Sequence, residues 1–160
     1  VLFRSKKKKN LSDLLIDQSL TISVAESCTG GNLSALLTSV SGSSAYFDRG
    51  YITYSNQAKI DMLGVDALTL EQFGAVSEQT ALQMVKGLVK NSNSNIGASV
   101  TGVAGPTGGT KDKPVGMVCF GFCVQGRYFS ITQNFKGDRA TVVTSSIDFV
   151  VQTLVNELSA

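Results

Sequence analysis

The sequence predicts an α/β fold: a mixed, mostly parallel sheet with helices on both faces. Three observations carry that prediction. Short apolar runs alternate with segments whose apolar residues recur at helical spacing. Three such runs each end abruptly in a turn rich in small polar residues or glycine, and a strand hairpin follows the third.

Asn10 is placed to cap a first helix carrying Leu11, Leu14, Leu15 and Ile16, which leads into a strand over Leu20 to Ala25. That strand stops at Glu26-Ser27-Cys28-Thr29-Gly30-Gly31, and Leu33, Leu36, Leu37 and Val40 then recur at helical spacing. Ser27 to Gly31 therefore reads as a tight strand-to-helix turn, whose free N–H groups and helix dipole suit an anion or a developing oxyanion. Ser27 or Thr29 acting only as a helix cap accounts for the same pattern.

Ser41-Gly42-Ser43-Ser44 breaks the helix, and Tyr46 to Tyr54 reads as a second strand. Ser55 caps a short helix, Asn56 to Leu63, closed by Gly64. Asp66 to Gly74 reads as a loop with one turn of helix. Ser77 caps a helix bearing Ala81, Met84, Val85, Leu88 and Val89.

Ile96 to Val103 is a continuous apolar strand running into the Gly-rich turn Gly102 to Gly109. Val115 to Val124 and Tyr128 to Phe135 pair as a hairpin through Gln125-Gly126. Gly137-Asp138 opens a last helix with one apolar stripe, Val143, Ile147, Val150, Val151, Leu154 and Leu158. Residues 10–160 are expected to form one domain, and residues 1–9, with Lys6 to Lys9, a solvated basic tail.

Composition narrows the chemistry. The chain of 160 residues has a net charge of +2, four units of which lie in Lys6 to Lys9, so the folded body offers no basic nucleic-acid surface. No apolar run is long enough to span a membrane. The three cysteines lack metal-ligand spacing, and Cys119 and Cys123, about 13 Å apart in one strand, are too distant to bridge. Reduced thiols and a cytoplasmic location follow as the simplest expectation.

The chain has no histidine, which excludes Ser-His-Asp and Cys-His mechanisms and the common zinc hydrolase sites within it. If Ser27 is a nucleophile, the lysine near a convergent strand end is Lys59, behind Tyr54-Ser55-Asn56. A lysine at its reference pKa is neutral in only about 1 molecule in 2500 at pH 7, so this role requires an environment that lowers it. Tyr54 could relay the proton or orient the amine; Ser55 and Cys28 are rival nucleophiles. Lys59 as a solvated helix residue is the alternative.

The Gly102 to Gly109 loop matches neither a Walker A loop nor a dinucleotide fingerprint, but its backbone could approach a phosphate, with Thr101 and Thr107 as donors. Arg139 in the first turn of the last helix opposes the helix dipole, which suggests service to a ligand, and Asp138 as a simple N-cap paired with it is the plainer reading. Arg49 beside Gly50 is a further candidate anion contact.

Taken in order, Ala25-Glu26-Ser27-Cys28-Thr29-Gly30-Gly31, Gly42-Ser43-Ser44, Arg49-Gly50, Tyr54-Ser55-Asn56-Gln57-Ala58-Lys59, Gly74-Ala75-Val76-Ser77, Thr101 to Pro106 and Lys113 to Gly116 resemble the CinA carboxy-terminal domain family, from Leu11 onward. The resemblance implies a three-layer α/β/α sandwich, commonly dimeric. It also implies hydrolysis of nicotinamide mononucleotide to nicotinate mononucleotide and ammonia, with no metal or cofactor. Ser27 would attack the amide carbon, Lys59 would act as base and Tyr54 would assist proton transfer.

In the same resemblance the amides around Thr29, Gly30 and Gly31 would hold the oxyanion, and Thr101, Gly102, Gly105 and Arg139 would grip the ribose phosphate. Glu26, Ser44 and Arg49 complete the expected ligand-binding set, Glu26 either orienting Lys59 or meeting a helix N-terminus. The chain departs from the family pattern at Val143, where a second arginine is usual, and at Met117, where a polar residue is expected. Two other readings stand beside this one: a catalytically silent nucleotide-binding or partner module, and an amidase using Ser43 and Ser44.

Overall fold

The structure is a computed structural model and describes residues 9–160. Residues 1–8 of the expected basic tail lie outside the described residues. Lys9 pairs with Asp17 on the surface, 2.6 Å away.

The chain runs α1 (Leu11–Asp17), β1 (Ile22–Glu26), α2 (Asn32–Thr38), a 3-10 turn (Ser43–Ala45), β2 (Phe47–Ile52), α3 (Asn56–Leu63), α4 (Ala67–Phe73), α5 (Glu78–Ser92), β3 (Ile96–Gly102), β4 (Met117–Val124), β5 (Arg127–Asn134) and α6 (Arg139–Leu158). One five-stranded sheet has the order β2-β1-β3-β4-β5. β1 pairs parallel with β2 and β3, and β4 runs antiparallel to both β3 and β5. Four strands therefore share one direction and β4 alone is reversed, so the sheet is mixed and mostly parallel.

Two apolar layers sandwich that sheet. On one face α1, α2 and α6 bury Leu15, Leu33, Val142, Val150 and Leu154 against Ile22, Val24, Phe120 and Phe122. On the other, α3, α4 and α5 bury Leu63, Leu70, Met84, Val85 and Leu88 against Ala25 and Cys123. β1 and β3 lie inside the sheet with a helical layer on each face, which is why they are buried almost throughout.

Local chemistry sets the helix boundaries. Asn10, Ser55, Asp66, Ser77 and Asp138 each accept an N–H of the first turn of their helix. The segment expected to be a loop with one helical turn is a full two-turn helix, α4, because Asp66 caps it and Leu70 docks into the second layer. Gln125 and Gly126 both adopt positive φ, the geometry a two-residue hairpin between β4 and β5 requires. Among the described residues, no helix is long and apolar enough to cross a membrane.

The parallel arrangement fixes where a site can form. β1, β2 and β3 end side by side, with Glu26 opposite Ile52 and Val100, and their three following turns meet beyond that edge of the sheet.

Candidate active site

A cavity of about 350 Å³ lies where the three turns meet. Ser27 and Cys28 reach it from the β1 turn, Tyr54, Asn56 and Lys59 from the β2 turn and α3, and Thr101 to Gly105 from the end of β3. Arg139, the first residue of α6, closes it from the opposite layer.

Ser27 continues the ladder of the sheet. Its N–H donates to the Val100 carbonyl at 2.9 Å, and on the neighbouring strand the Thr53 N–H donates to the Glu26 carbonyl at 2.8 Å. The serine is thus held between the ends of β3 and β2, with its side chain 8% exposed.

Lys59 sits on the inward face of α3, one turn before the buried Leu63, and only 1% of it is exposed. Its Nζ lies 3.0 Å from Ser27 Oγ, 3.0 Å from the Thr53 carbonyl and 3.2 Å from the Tyr54 carbonyl. Among the described residues no carboxylate forms an ion pair with it. Burial without a counter-ion disfavours the charged form and lowers the Lys59 pKa.

The three partners can also be satisfied by a neutral amine. Its two hydrogens can go to the two carbonyls, which only accept, leaving the lone pair for the Ser27 hydroxyl, the one partner able to donate. Ser27 Oγ has the Tyr54 carbonyl as a second, longer acceptor at 3.4 Å.

Cys28 also lines the cavity, but burial pushes its thiol up to about 11, which removes the thiolate a cysteine nucleophile needs. Ser55 is spent as the cap of α3, accepting from the Ala58 N–H at 3.0 Å.

Arg139 donates from Nη1 to the Gly105 carbonyl at 2.8 Å and from Nη2 to the Tyr54 phenol at 3.1 Å. Asp138 does not pair with it; its carboxylate caps α6 through the Thr141 N–H. Among the described residues no carboxylate lines the cavity, which holds one lysine and one arginine. Thr101 lines it with its hydroxyl committed to the Ala75 carbonyl at 2.9 Å. Gly102 must lack a side chain, since a Cβ there would lie 2.8 Å from the Met117 carbonyl oxygen.

Tyr54 meets the Ser27–Lys59 pair only through its backbone carbonyl, while its phenol lies against Arg139. Several other expected site residues are not brought to the cavity. Thr29 is fully buried, and neither it nor Gly30 or Gly31 lines the cavity. The Gly30 N–H is already donated to the Ser27 carbonyl at 3.1 Å. Ser43 and Ser44 sit in the 3-10 turn before β2, at the far end of that strand. Arg49 lies mid-strand on the sheet edge, paired with Asp48.

Glu26 is completely buried, and of the two roles open to it the structure displays the second. Its carboxylate accepts from the Leu33 N–H at 2.8 Å, the Ser34 N–H at 3.0 Å and the Ser34 hydroxyl at 2.7 Å. It caps α2 from the preceding strand, because the residue at the cap position, Gly31, has φ +104 and no side chain to offer. Replacing Glu26 by Gln turns an NH₂ group toward those donors, and we expect a loss of about 2 kcal/mol of unfolding free energy in urea titrations. Wild-type stability in Glu26→Gln would contradict the capping role.

Asn56, Ala75 and Val76 line the cavity with no residue-type signal to mark them. Asn56 is signalled by its place in the Tyr54 to Lys59 motif, three residues before Lys59, which puts both on one helix face. Val143 and Met117, the two departures from the family pattern, both lie outside the cavity lining.

Comparison with known proteins agrees with this architecture. The model of the CinA C-terminal domain family matches residues 4–158. A nicotinamide-nucleotide amidohydrolase PncC from Enterobacter agglomerans is 47% identical over 137 residues, which cover 85% of this chain and 84% of that protein. A putative competence-damage inducible protein from Clostridium acetobutylicum is 49% identical over 150 residues, 91% of this chain but 36% of the relative. The chain thus spans about a third of the length of that and similar curated relatives. Among solved structures, the competence/damage inducible protein CihA from Agrobacterium tumefaciens superposes with a TM-score of 0.88 at 40% identity, covering 93% of this chain and 92% of that one.

Proposed function

The chain belongs to the CinA C-terminal domain family, and from that membership together with the cavity we propose that it is an amidohydrolase converting nicotinamide mononucleotide to nicotinate mononucleotide and ammonia. The observation that carries the reading is the buried Lys59 amine 3.0 Å from Ser27 Oγ, without a carboxylate partner, in a cavity that also contains Arg139.

In this reading Ser27 Oγ attacks the carboxamide carbon while the neutral Lys59 takes its proton. We assign the oxyanion to the amide of Cys28, the lining residue that directly follows the nucleophile. The ammonium form of Lys59 then returns the proton to the departing nitrogen, so ammonia leaves and an ester to Ser27 remains. A water molecule, deprotonated by Lys59, attacks that ester, releasing the carboxylate and restoring the serine. One water is consumed, and the hydrolysis as written needs no redox partner.

Arg139 and the Gly102 to Gly105 backbone grip the phosphate, since a guanidinium with only neutral partners retains donors for an anion. A dimer in solution, as the family resemblance implies, forms part of the same proposal.

The test is incubation of the purified chain with nicotinamide mononucleotide, following ammonia by a coupled assay and nicotinate mononucleotide by chromatography. Equimolar appearance of both supports the amidohydrolase. Tight binding of the nucleotide with no ammonia released would instead support a catalytically silent nucleotide-binding module.

A further inference from the structure

Tyr54 lines the cavity, yet its expected role and its observed position disagree. A phenol that carries a proton between Ser27 and Lys59 must lie within hydrogen-bond reach of one of them. Here only the Tyr54 backbone carbonyl does so, at 3.4 Å from Ser27 Oγ and 3.2 Å from Lys59 Nζ.

The phenol oxygen instead lies 3.1 Å from Arg139 Nη2. A guanidinium has no acceptor, so in this contact the phenol must accept, and its own hydrogen is left for another partner. Among the described residues it has none, and Tyr54 is 60% exposed at the cavity wall. Nη1 of Arg139 is held by the Gly105 carbonyl at 2.8 Å, which fixes the plane of the guanidinium. The unused Tyr54 O–H thus stands beside the remaining N–H donors of a cation that faces no carboxylate in the cavity.

We propose that Tyr54 is a specificity-determining residue for a phosphate monoester, donating its phenolic hydrogen to the anion that Arg139 binds, and takes no part in proton transfer. The inference rests on the amidohydrolase reading for its substrate, but the anion cradle it names is independent of turnover. A phosphate monoester suits the pair because its oxygens can accept from the phenol and the guanidinium together.

Tyr54→Phe removes only the hydroxyl, and the exposed ring leaves the fold intact. Two readouts follow. In kinetics, KM for nicotinamide mononucleotide rises about tenfold while kcat changes by less than about threefold, the size expected for one hydrogen bond to a charged group. Selectivity for the nucleotide over nicotinamide riboside, which lacks the phosphate, falls by about the same factor. In calorimetry, ribose 5-phosphate binds the variant about tenfold more weakly than it binds wild type.

A fall in kcat of about 100-fold or more on both substrates, with KM kept, would assign proton transfer to Tyr54 and overturn the proposal. Unchanged KM and unchanged ribose 5-phosphate affinity would overturn it equally. If wild type hydrolyses neither substrate, the amidohydrolase reading fails, and the calorimetric comparison still decides for or against the phosphate contact.

Discussion

If the proposed mechanism holds, Ser27→Ala is expected to lower ammonia release from nicotinamide mononucleotide by about 10⁴-fold or more, with the fold retained. The size of the effect comes from the absence of a substitute. The chain has no histidine, the Cys28 thiol is pushed up to about 11 and cannot supply a thiolate at neutral pH, and the Ser55 hydroxyl is bound to the Ala58 N–H. A buried lysine left beside a methyl group could at most activate water, which lacks a positioned nucleophile's advantage of proximity. Binding of the nucleotide survives the substitution, because Arg139 and the Gly102 to Gly105 turn approach from other elements. A residual rate within about tenfold of wild type would mean that water or another group attacks the amide.

Replacement of Lys59 has the second-largest effect. Lys59→Met lowers kcat by about 10²- to 10⁴-fold, and Lys59→Arg does not restore it, since a guanidinium holds its proton at any working pH. Two pH dependences accompany the loss. In wild type the acid limb of kcat/KM is expected to follow the lowered Lys59 pKa, activity rising as the amine becomes neutral.

Folding stability carries the same sign. The folded-state pKa of Lys59 lies below its unfolded value of about 10.4, so between the two the unfolded chain binds the extra proton and stability rises with pH. This contribution is fully present above the unfolded value and is lost as pH falls through the folded one. Cys28 acts in the opposite direction above its unfolded pKa, because its folded pKa is raised. The difference in unfolding free energy between wild type and Lys59→Met shifts in favour of wild type as pH rises from neutral toward the unfolded Lys59 value of about 10.4. A difference independent of pH across that range would mean that Lys59 is not buried away from its proton.

Much of this arrangement is legible in the sequence. Strand ends announce themselves where an apolar run meets Ser27-Cys28-Thr29 or Gly102-Val103-Ala104, and a parallel sheet brings such ends to one edge. Ser27, Lys59, Thr101, Gly102, Gly105 and Arg139 accordingly all line the cavity. The α1, α3, α5 and α6 caps were legible too, because an N-cap is a contact within three residues along the chain.

What remained hidden is side-chain direction across elements. Glu26 precedes Ser27 and is of a type that could face a lysine, yet it turns to the first amides of α2, a choice set by the missing side chain at Gly31. Arg49 follows the same pattern: its sheet-edge position comes from the strand order, which the sequence does not print. Tyr54 shows the finest case, since backbone and side chain of one residue serve two different parts of the cavity.

The most direct test of the account is to quench the enzyme in acid during turnover of nicotinamide mononucleotide and weigh the peptide that carries Ser27. The account predicts an ester of the nicotinate mononucleotide acyl group on Ser27, absent from Ser27→Ala. A chain that turns over the substrate and never carries that mass on Ser27, even when deacylation is slowed by lowering the pH, would contradict it.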